Sequence, residues 1–597
     1  MTNTEKNQNP KSGAELARIR ADFDHVMNIP SPSPRYSAMK PLEVVKVLLK
    51  TERKQVKAIK RVIPSILYNS WLLILVAWLV NVASAQPMDP AASYSPGFVW
   101  VQFAEGVAVS AGASKTGLAI FDQEAARFGV TDISKAFPFV DRVAERRELA
   151  ESTKKLQRIY AVRHEESFDS RRVAAALARD PNVVYAEPRF VREPMWDISG
   201  PEKRESVVLE SPDDPLFGEA RYMQRFRMPD AWDVVKGEQG DVVIAIVELV
   251  GMGVSHEDLH GTLWTNPGEI PNNGVDDDAN GFADDVHGWD FRANSPIVPG
   301  FASSSGVQHG VAVSGAALAE ADNGIGLAGT SWNARFMPLV GSFSGITYAA
   351  LNGADIINAS YGGFGGSNTE AQVMQSAVDE GALVVAAAGN NGLNSDQVPS
   401  YPANYPINLN VGGTLAESDV NFYNYGRSVN VFAAGRNVVV PFPGNAYGRE
   451  FGTSFASPLV AGIAALVKTA NPHFTPHQVR EQVRLTADNI DAVNDASLAG
   501  LLGRGRVNAY RAVTESGFPA VRMTEYQLTG GERALQSGES VEVTAKMVNY
   551  LADTENLTIE WFSDGTFVEF DTGPISIGRL ATGENIEIPT SFKLRNV

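Results

Sequence analysis

The sequence predicts an α/β protein: a parallel sheet flanked by helices, preceded by a small α+β unit and followed by part of a β-sandwich. Three observations carry that expectation. Between Asp214 and about residue 515, short apolar strands alternate with helical stretches, as in a sheet with crossover helices. Before it, residues 97–195 pair short strands with amphipathic helices. From about residue 520 the pattern turns to period-two alternation, as in Val541-Glu542-Val543-Thr544-Ala545-Lys546-Met547. At 597 residues the chain is too long for one core, so several domains are expected. Its net charge of −18 argues against nucleic acid as a partner, which calls for a basic face. The absence of cysteine excludes disulfides, thiol nucleophiles and thiolate-bound zinc.

Residues 1–62 read as a disordered, then basic leader, with Pro30, Pro32 and Pro34 close together and Lys40, Lys46, Lys50 and Arg53 following. Within residues 63–85, the apolar run from Trp71 to Val80 ends at Ala83-Ser84-Ala85. A basic flank, an apolar run and small residues make a secretory signal peptide; counted from Ile63, the run also approaches the length of a single membrane anchor. The rest of the chain is therefore expected to be secreted or at the cell surface, with a membrane contact only if residues 63–85 are retained. In residues 97–195 the strand Phe98–Phe103 opens the unit. The helical Arg171–Ala178, the turn Asp180-Pro181-Asn182 and the β-branched Val183-Val184-Tyr185 close it. Residues 196–213 are polar and form a linker. The central unit, 214–515, shows strands at Val242–Val247, Arg335–Val340, Ala354–Asn358 and Ala382–Ala386. The last region, 520–597, is β-rich but shorter than the roughly 100 residues of a full sandwich.

The most informative stretch is Gly452-Thr453-Ser454-Phe455-Ala456-Ser457-Pro458, followed by an unbroken apolar run to Val467. Small residues lead into a helix that is apolar all round and hence buried, with Pro458 expected in its first turn. Ser454 would then sit near free backbone N–H groups at the positive helix end, a good place to stabilise an oxyanion. A plain helix start in a core is the competing reading of these residues alone. The string, however, resembles the nucleophile signature of the subtilisin-like serine proteases. His309-Gly310-Val311-Ala312-Val313-Ser314-Gly315 resembles the family's histidine motif in its histidine and both glycines, though not in the residues between. Asn390, after the buried strand ending in Ala386, matches the family's oxyanion-hole asparagine, and Ser360-Tyr361-Gly362 resembles the segment that pairs with an extended substrate backbone.

The resemblance runs through residues 97–515 and implies a protease in which Ser454 attacks, His309 acts as base and a polypeptide is the substrate. It identifies residues 97–195 as a propeptide. The order of the motifs argues against an α/β-hydrolase, in which the histidine follows the serine. The rival is an inactive scaffold of the same fold that binds peptide, because the third triad position departs from the family. The first strand runs Ile244-Ala245-Ile246-Val247-Glu248-Leu249 where the family has aspartate. Alignment on the strand puts Glu248 there, with one extra residue before Gly251; alignment on Gly251 puts Leu249 there, which cannot orient an imidazole. Residues 335–358 also look shorter than the family's strand–helix–strand unit. Finally, the acidic loop 272–285 carries the first half of a calcium loop. Asp276, Asp278, Asn280 and Asp284 are candidate ligands, although His287 at the twelfth position excludes a complete EF-hand. The alternative there is a solvated acidic turn.

Overall fold

Strand Ile356–Ala359 lies at the middle of a nine-stranded sheet that carries the central unit in this computed structural model. Residues 92–195, 212–236, 242–298, 307–529 and 538–594 are described, apart from 108, 110, 111, 113, 562 and 564–567. The expected leader, signal or anchor segment and nearly all of the linker lie outside the described residues. From Asp89 on, the chain forms one compact unit.

On one side of the middle strand, Val243–Glu248 and Arg335–Val340 follow in parallel register, then the short Trp289–Asp290 and Ser295–Pro296. On the other, Leu383–Ala387, Leu409–Leu415 and Val431–Phe442 continue in parallel, and Ala446–Phe451 closes the edge antiparallel. These strands read as continuous Val/Ile/Ala runs because both faces are buried. Alternate residues divide the core. Ile244, Ile246, Ile356 and Val385 pack with helices Val307–Leu318 and Thr453–Ala470 on one face. Ala245, Val247, Ile357 and Val384 pack with helices Phe343–Leu351 and Asn368–Asp379 on the other. The span 335–358 holds a complete strand–helix–strand unit with a helix of 9 residues. Helix Thr453–Ala470 is apolar enough to cross a membrane, but it is 83% buried in the protein and is a core helix.

The N-terminal α+β unit is an antiparallel sheet in the order Asp132–Lys135, Ile159–Arg163, Tyr94–Phe103, Val183–Phe190. Helices Ala119–Arg127 and Ser170–Leu177 cover one face. The other face, with Phe98, Trp100 and Ile159, packs into the second core of the central unit; the Trp100 and Phe343 rings stand 6.2 Å apart. The C-terminal region forms a four-stranded sheet, Val521–Leu528, Ser540–Asn549, Asn585–Leu594 and Val568–Phe570, and a strand pair, Leu557–Ile559 with Ile575–Gly578. Ala545, Met547 and Ile588 form its small core.

Candidate active site

Strand Val243–Glu248 pairs with Arg335–Val340 without a register shift, so its last residue emerges at the sheet's C-terminal edge. That is where open α/β sheets hold their sites. Residues 249–250 form a bend after the strand, which itself carries no bulge against its neighbour. Alternation sends the two candidate side chains to opposite faces. Glu248 Oε2 lies 3.0 Å from His309 Nδ1, and both side chains are 1% exposed. Leu249 turns the other way and packs among the apolar residues of the second core. An ionised carboxylate can only accept, so Nδ1 carries the proton in this pair and Nε2 is left as the basic nitrogen. Glu248 Oε1 is buried and has no hydrogen-bond partner among the described residues.

His309 stands in the first turn of helix Val307–Leu318. Gly310 next to it is required by close approach: a Cβ there would come within 2.3 Å of the Gly251 carbonyl oxygen. The imidazole packs on Phe455, with ring centroids 5.7 Å apart, which ties it to the residue after Ser454. Beside it, Gln308 Nε2 donates to Glu450 Oε1 at 3.0 Å. Burial pushes the Glu450 carboxyl above its ordinary range, and the Gln308 hydrogen bond opposes that shift.

Gly452 caps the serine helix at φ 135°, a conformation that glycine adopts freely, and Ser454 is the helix's second residue. The expectation for Pro458 is corrected here. It lies inside the helix rather than in its first turn, as the sixth residue from Thr453. Its missing N–H would have bonded the carbonyl four residues back, at Ser454. That freed carbonyl accepts instead from Ser360 Oγ at 2.7 Å. Asn358 Nδ2 donates to the same Ser360 hydroxyl at 2.9 Å, and Asn358 Oδ1 accepts from Ser457 Oγ at 2.7 Å. The Ser454 hydroxyl donates to Ser360 O at 3.1 Å.

Asn390 Oδ1 accepts from both the Thr453 N–H and the Thr453 hydroxyl at 2.8 Å. This fixes the amide's orientation and leaves Nδ2 buried without a partner among the described residues. A second donor, the Ser454 N–H, points to the carbonyl of Met195 at 3.0 Å. Met195 N–H in turn donates to Ser360 O at 3.1 Å. Glu193–Pro194 is paired antiparallel with Tyr361 and Gly362, so the Ser360-Tyr361-Gly362 segment holds the end of the N-terminal unit as an added strand. Sequence reading missed Met195, Asn358, Ser457 and Thr453. Asn358 alone left a signal, as a polar residue ending a buried apolar strand.

In the acidic loop, carboxylate oxygens of Glu269, Asp276 and Asp278 lie within 4.8 Å of one another. Of the four expected ligands, this cluster holds Asp276 and Asp278. Asp284 accepts from the Asn273 and Gly274 N–H groups at 3.0 and 2.9 Å, because the loop folds back on it. Asn280 Nδ2 donates to Asp278 and Asp285 at 3.1 and 2.8 Å and braces both carboxylates. Glu269, outside the expected set, takes the third place. Arg142 and Arg146 of the N-terminal unit reach Asp276 and Asp278 at 3.3 and 3.9 Å. Nearby, burial pushes the Asp285 carboxyl up to about 6, although Tyr348 donates to it.

Residues 240–505 match the Subtilase family. The chain is 33% identical over 316 residues to thermitase from Thermoactinomyces vulgaris, covering 51% of this chain and 99% of thermitase. It is 31% identical over 356 residues to the thermophilic serine proteinase of Bacillus sp. (strain AK1), covering 57% of this chain and 75% of that protein. Its fold is similar to fervidolysin from Fervidobacterium pennivorans, with a TM-score of 0.50 over 84% of this chain and 86% of fervidolysin, at 16% identity. Identity at that level along nearly the whole of thermitase makes the chain a member of the subtilase family, the subtilisin-like serine proteases.

Proposed function

We propose that the protein is an exported serine endopeptidase that matures by cutting its own chain at the Met195–Trp196 bond, with residues 92–195 acting as an inhibitory propeptide. One observation carries this reading: the Met195 carbonyl accepts from the Ser454 N–H at 3.0 Å while the residues before it are paired as a substrate strand. In that seat Ser454 Oγ attacks the Met195 carbonyl carbon and His309 Nε2 takes its proton. The oxyanion is met by the Ser454 N–H and Asn390 Nδ2, and His309 returns the proton to the leaving Trp196 nitrogen. Water then hydrolyses the acyl-enzyme by the same steps. Glu248 holds the imidazole tautomer and stabilises its charged form. With Oε1 unpartnered, the carboxylate is held through one oxygen only, which supports an activity lower than that of an aspartate triad. The test is expression of residues 86–597. Wild type should yield a new N-terminus at Trp196, and Ser454→Ala should stay whole. A wild-type chain that remains uncut would leave the inactive peptide-binding scaffold as the better reading.

Calcium is the cofactor the acidic loop suits. Glu269, Asp276 and Asp278 offer hard oxygen ligands on a loop whose turns are already held by backbone N–H groups. Ion binding to the folded state alone adds stability by mass action. The Ser454→Ala protein should melt several degrees higher in millimolar calcium than in excess chelator; equal midpoints would refute the site.

A further inference from the structure

Glu481 is wholly buried and faces three guanidinium groups. Arg480 and Arg484 donate to it at 3.1 and 2.8 Å, and Arg522 Nε lies 3.7 Å from Oε1. One carboxylate thus meets three positive charges. Arg504 adds a fourth; its guanidinium has no hydrogen bond or ion pair among the described residues. Burial, and then the Arg484 charge, push the Arg504 group below its ordinary pKa. Arg522 is lowered likewise by burial and by Arg484 and Arg480, against the attraction of Glu481.

Arg484, Arg504 and Arg522, with Arg427 at the rim, line one cavity of about 180 Å³, and its described lining contains no carboxylate. The Arg427 N–H donates outside it, to Asp396 at 2.7 Å. The cavity lies on a seam. Arg522 belongs to the first strand of the C-terminal sheet, whereas Arg484 ends a helix of the protease unit and Arg504 follows in its closing loop. A cationic pocket in a chain of net charge −18 is not drawn from overall composition. Beyond about 8 Å salt screens the rest of the molecule, so the local arginines decide what binds there.

We propose that this cavity binds a small multivalent oxyanion of the phosphate or sulfate type, which bridges Arg484 and Arg504 of the protease unit to Arg522 of the C-terminal sheet. The guanidinium fork matches two oxygens of such an anion, and the anion adds negative charge to a cluster in which the single Glu481 carboxylate opposes the repulsion of Arg484 on Arg504. The volume is below the roughly 300 Å³ of ordinary organic-ligand pockets, which favours a small inorganic group. Binding there would fasten the C-terminal sheet to the protease.

The test uses the full chain carrying Ser454→Ala, so that self-digestion is absent. Titration calorimetry with sodium phosphate, at ionic strength matched with sodium chloride, should show one site. Arg504→Gln should weaken it at least about tenfold, the loss of one charge-assisted contact. Arg579→Gln, an exposed arginine elsewhere, should leave it unchanged. Because Arg504 has no described partner, its variant should melt no lower than the parent without phosphate; a lower midpoint would mark it as structural and overturn the proposal. Phosphate should also slow cleavage of the 515–520 connection by an added protease, and fail to do so in Arg504→Gln. A parallel arm with heparin separates the sources. Heparin binding that depends on Arg504 while phosphate does not bind would assign the site to oxyanions carried on a polymer. Absence of binding in both arms, or binding indifferent to Arg504→Gln, would overturn it.

Discussion

At the scale of residues, the proposed activity turns on Glu248. Glu248 reaches His309 Nδ1 at 3.0 Å from a strand whose backbone is locked in register on both sides. Shortening the side chain by one methylene retracts the carboxylate by roughly 1.5 Å, since the strand cannot follow. Glu248→Asp should therefore lower kcat, although aspartate is the family's residue. Glu248→Gln should lower it further. In subtilisin, loss of the acid alone costs about 3 × 10⁴ in kcat, roughly 6 kcal/mol of barrier. The measurement is kcat on an unstructured peptide for wild type, both Glu248 variants and Leu249→Asp. If Leu249→Asp raised activity while Glu248→Gln left it unchanged, Glu248 would have no part in the reaction.

At the scale of elements, the end strand and helices of the N-terminal unit grip the protease by contacts of unequal strength. The Arg192–Glu370 ion pair is buried, with side chains 3% and 0% exposed. The guanidinium also donates to the Phe364 and Gly365 carbonyls at 3.1 and 2.8 Å. Glu187 caps helix Asn368–Asp379, accepting from the Asn368 and Thr369 N–H groups at 2.9 Å. By contrast the Arg142–Asp276 pair is exposed, with the arginine side chain 61% accessible. Exposed pairs contribute about 0–1 kcal/mol, whereas breaking one partner of a buried pair costs about 3–5 kcal/mol. Arg192→Ala should therefore release the cleaved unit from the protease on size-exclusion chromatography. Arg142→Gln should leave the two associated. Equal behaviour of the two variants would mean that the apolar sheet face, with Trp100 and Phe98, holds the unit alone.

For the whole molecule, pH acts through acids buried without a cation. Asp258 is fully buried, and burial pushes its carboxyl up to about 7, with Asp214 adding to the effect against hydrogen bonds from Leu327 and Asn323. The folded state therefore keeps this proton up to about pH 7, while the unfolded chain loses it near pH 4. Between those values the folded state binds more protons, so stability falls as pH rises through the window and stays lowered above it. Asp258→Asn should flatten that slope and raise the melting midpoint at pH 8 by several degrees. It should have little effect at pH 4, where the native acid is already neutral. Thermal unfolding of the Ser454→Ala background at both pH values checks this; a variant that melts lower at pH 8 would show that the carboxylate's hydrogen bonds outweigh its burial.

The sequence by itself determined what local pattern can carry. The Val/Ile strands, the period-two C-terminal region and the stretch around Ser454 are legible because side-chain period and backbone propensity are encoded within a few residues. His309, Asn390 and Ser454 were readable as separate motifs on such elements. The sequence left Glu248 and Leu249 as alternatives, since either could fill the acid position in an alignment. Only the register of strand Val243–Glu248 against its neighbours separated them: adjacent strand residues face opposite sides, so one meets His309 and the other the core. The same holds for Met195, which lies 259 residues before the Ser454 N–H that it accepts from, and for Glu269 in the acidic cluster. It holds too for Arg522 beside Arg504. Contacts of this kind join segments far apart in the chain, and no local pattern records them. They exist only once the sheet has set which residues share an edge.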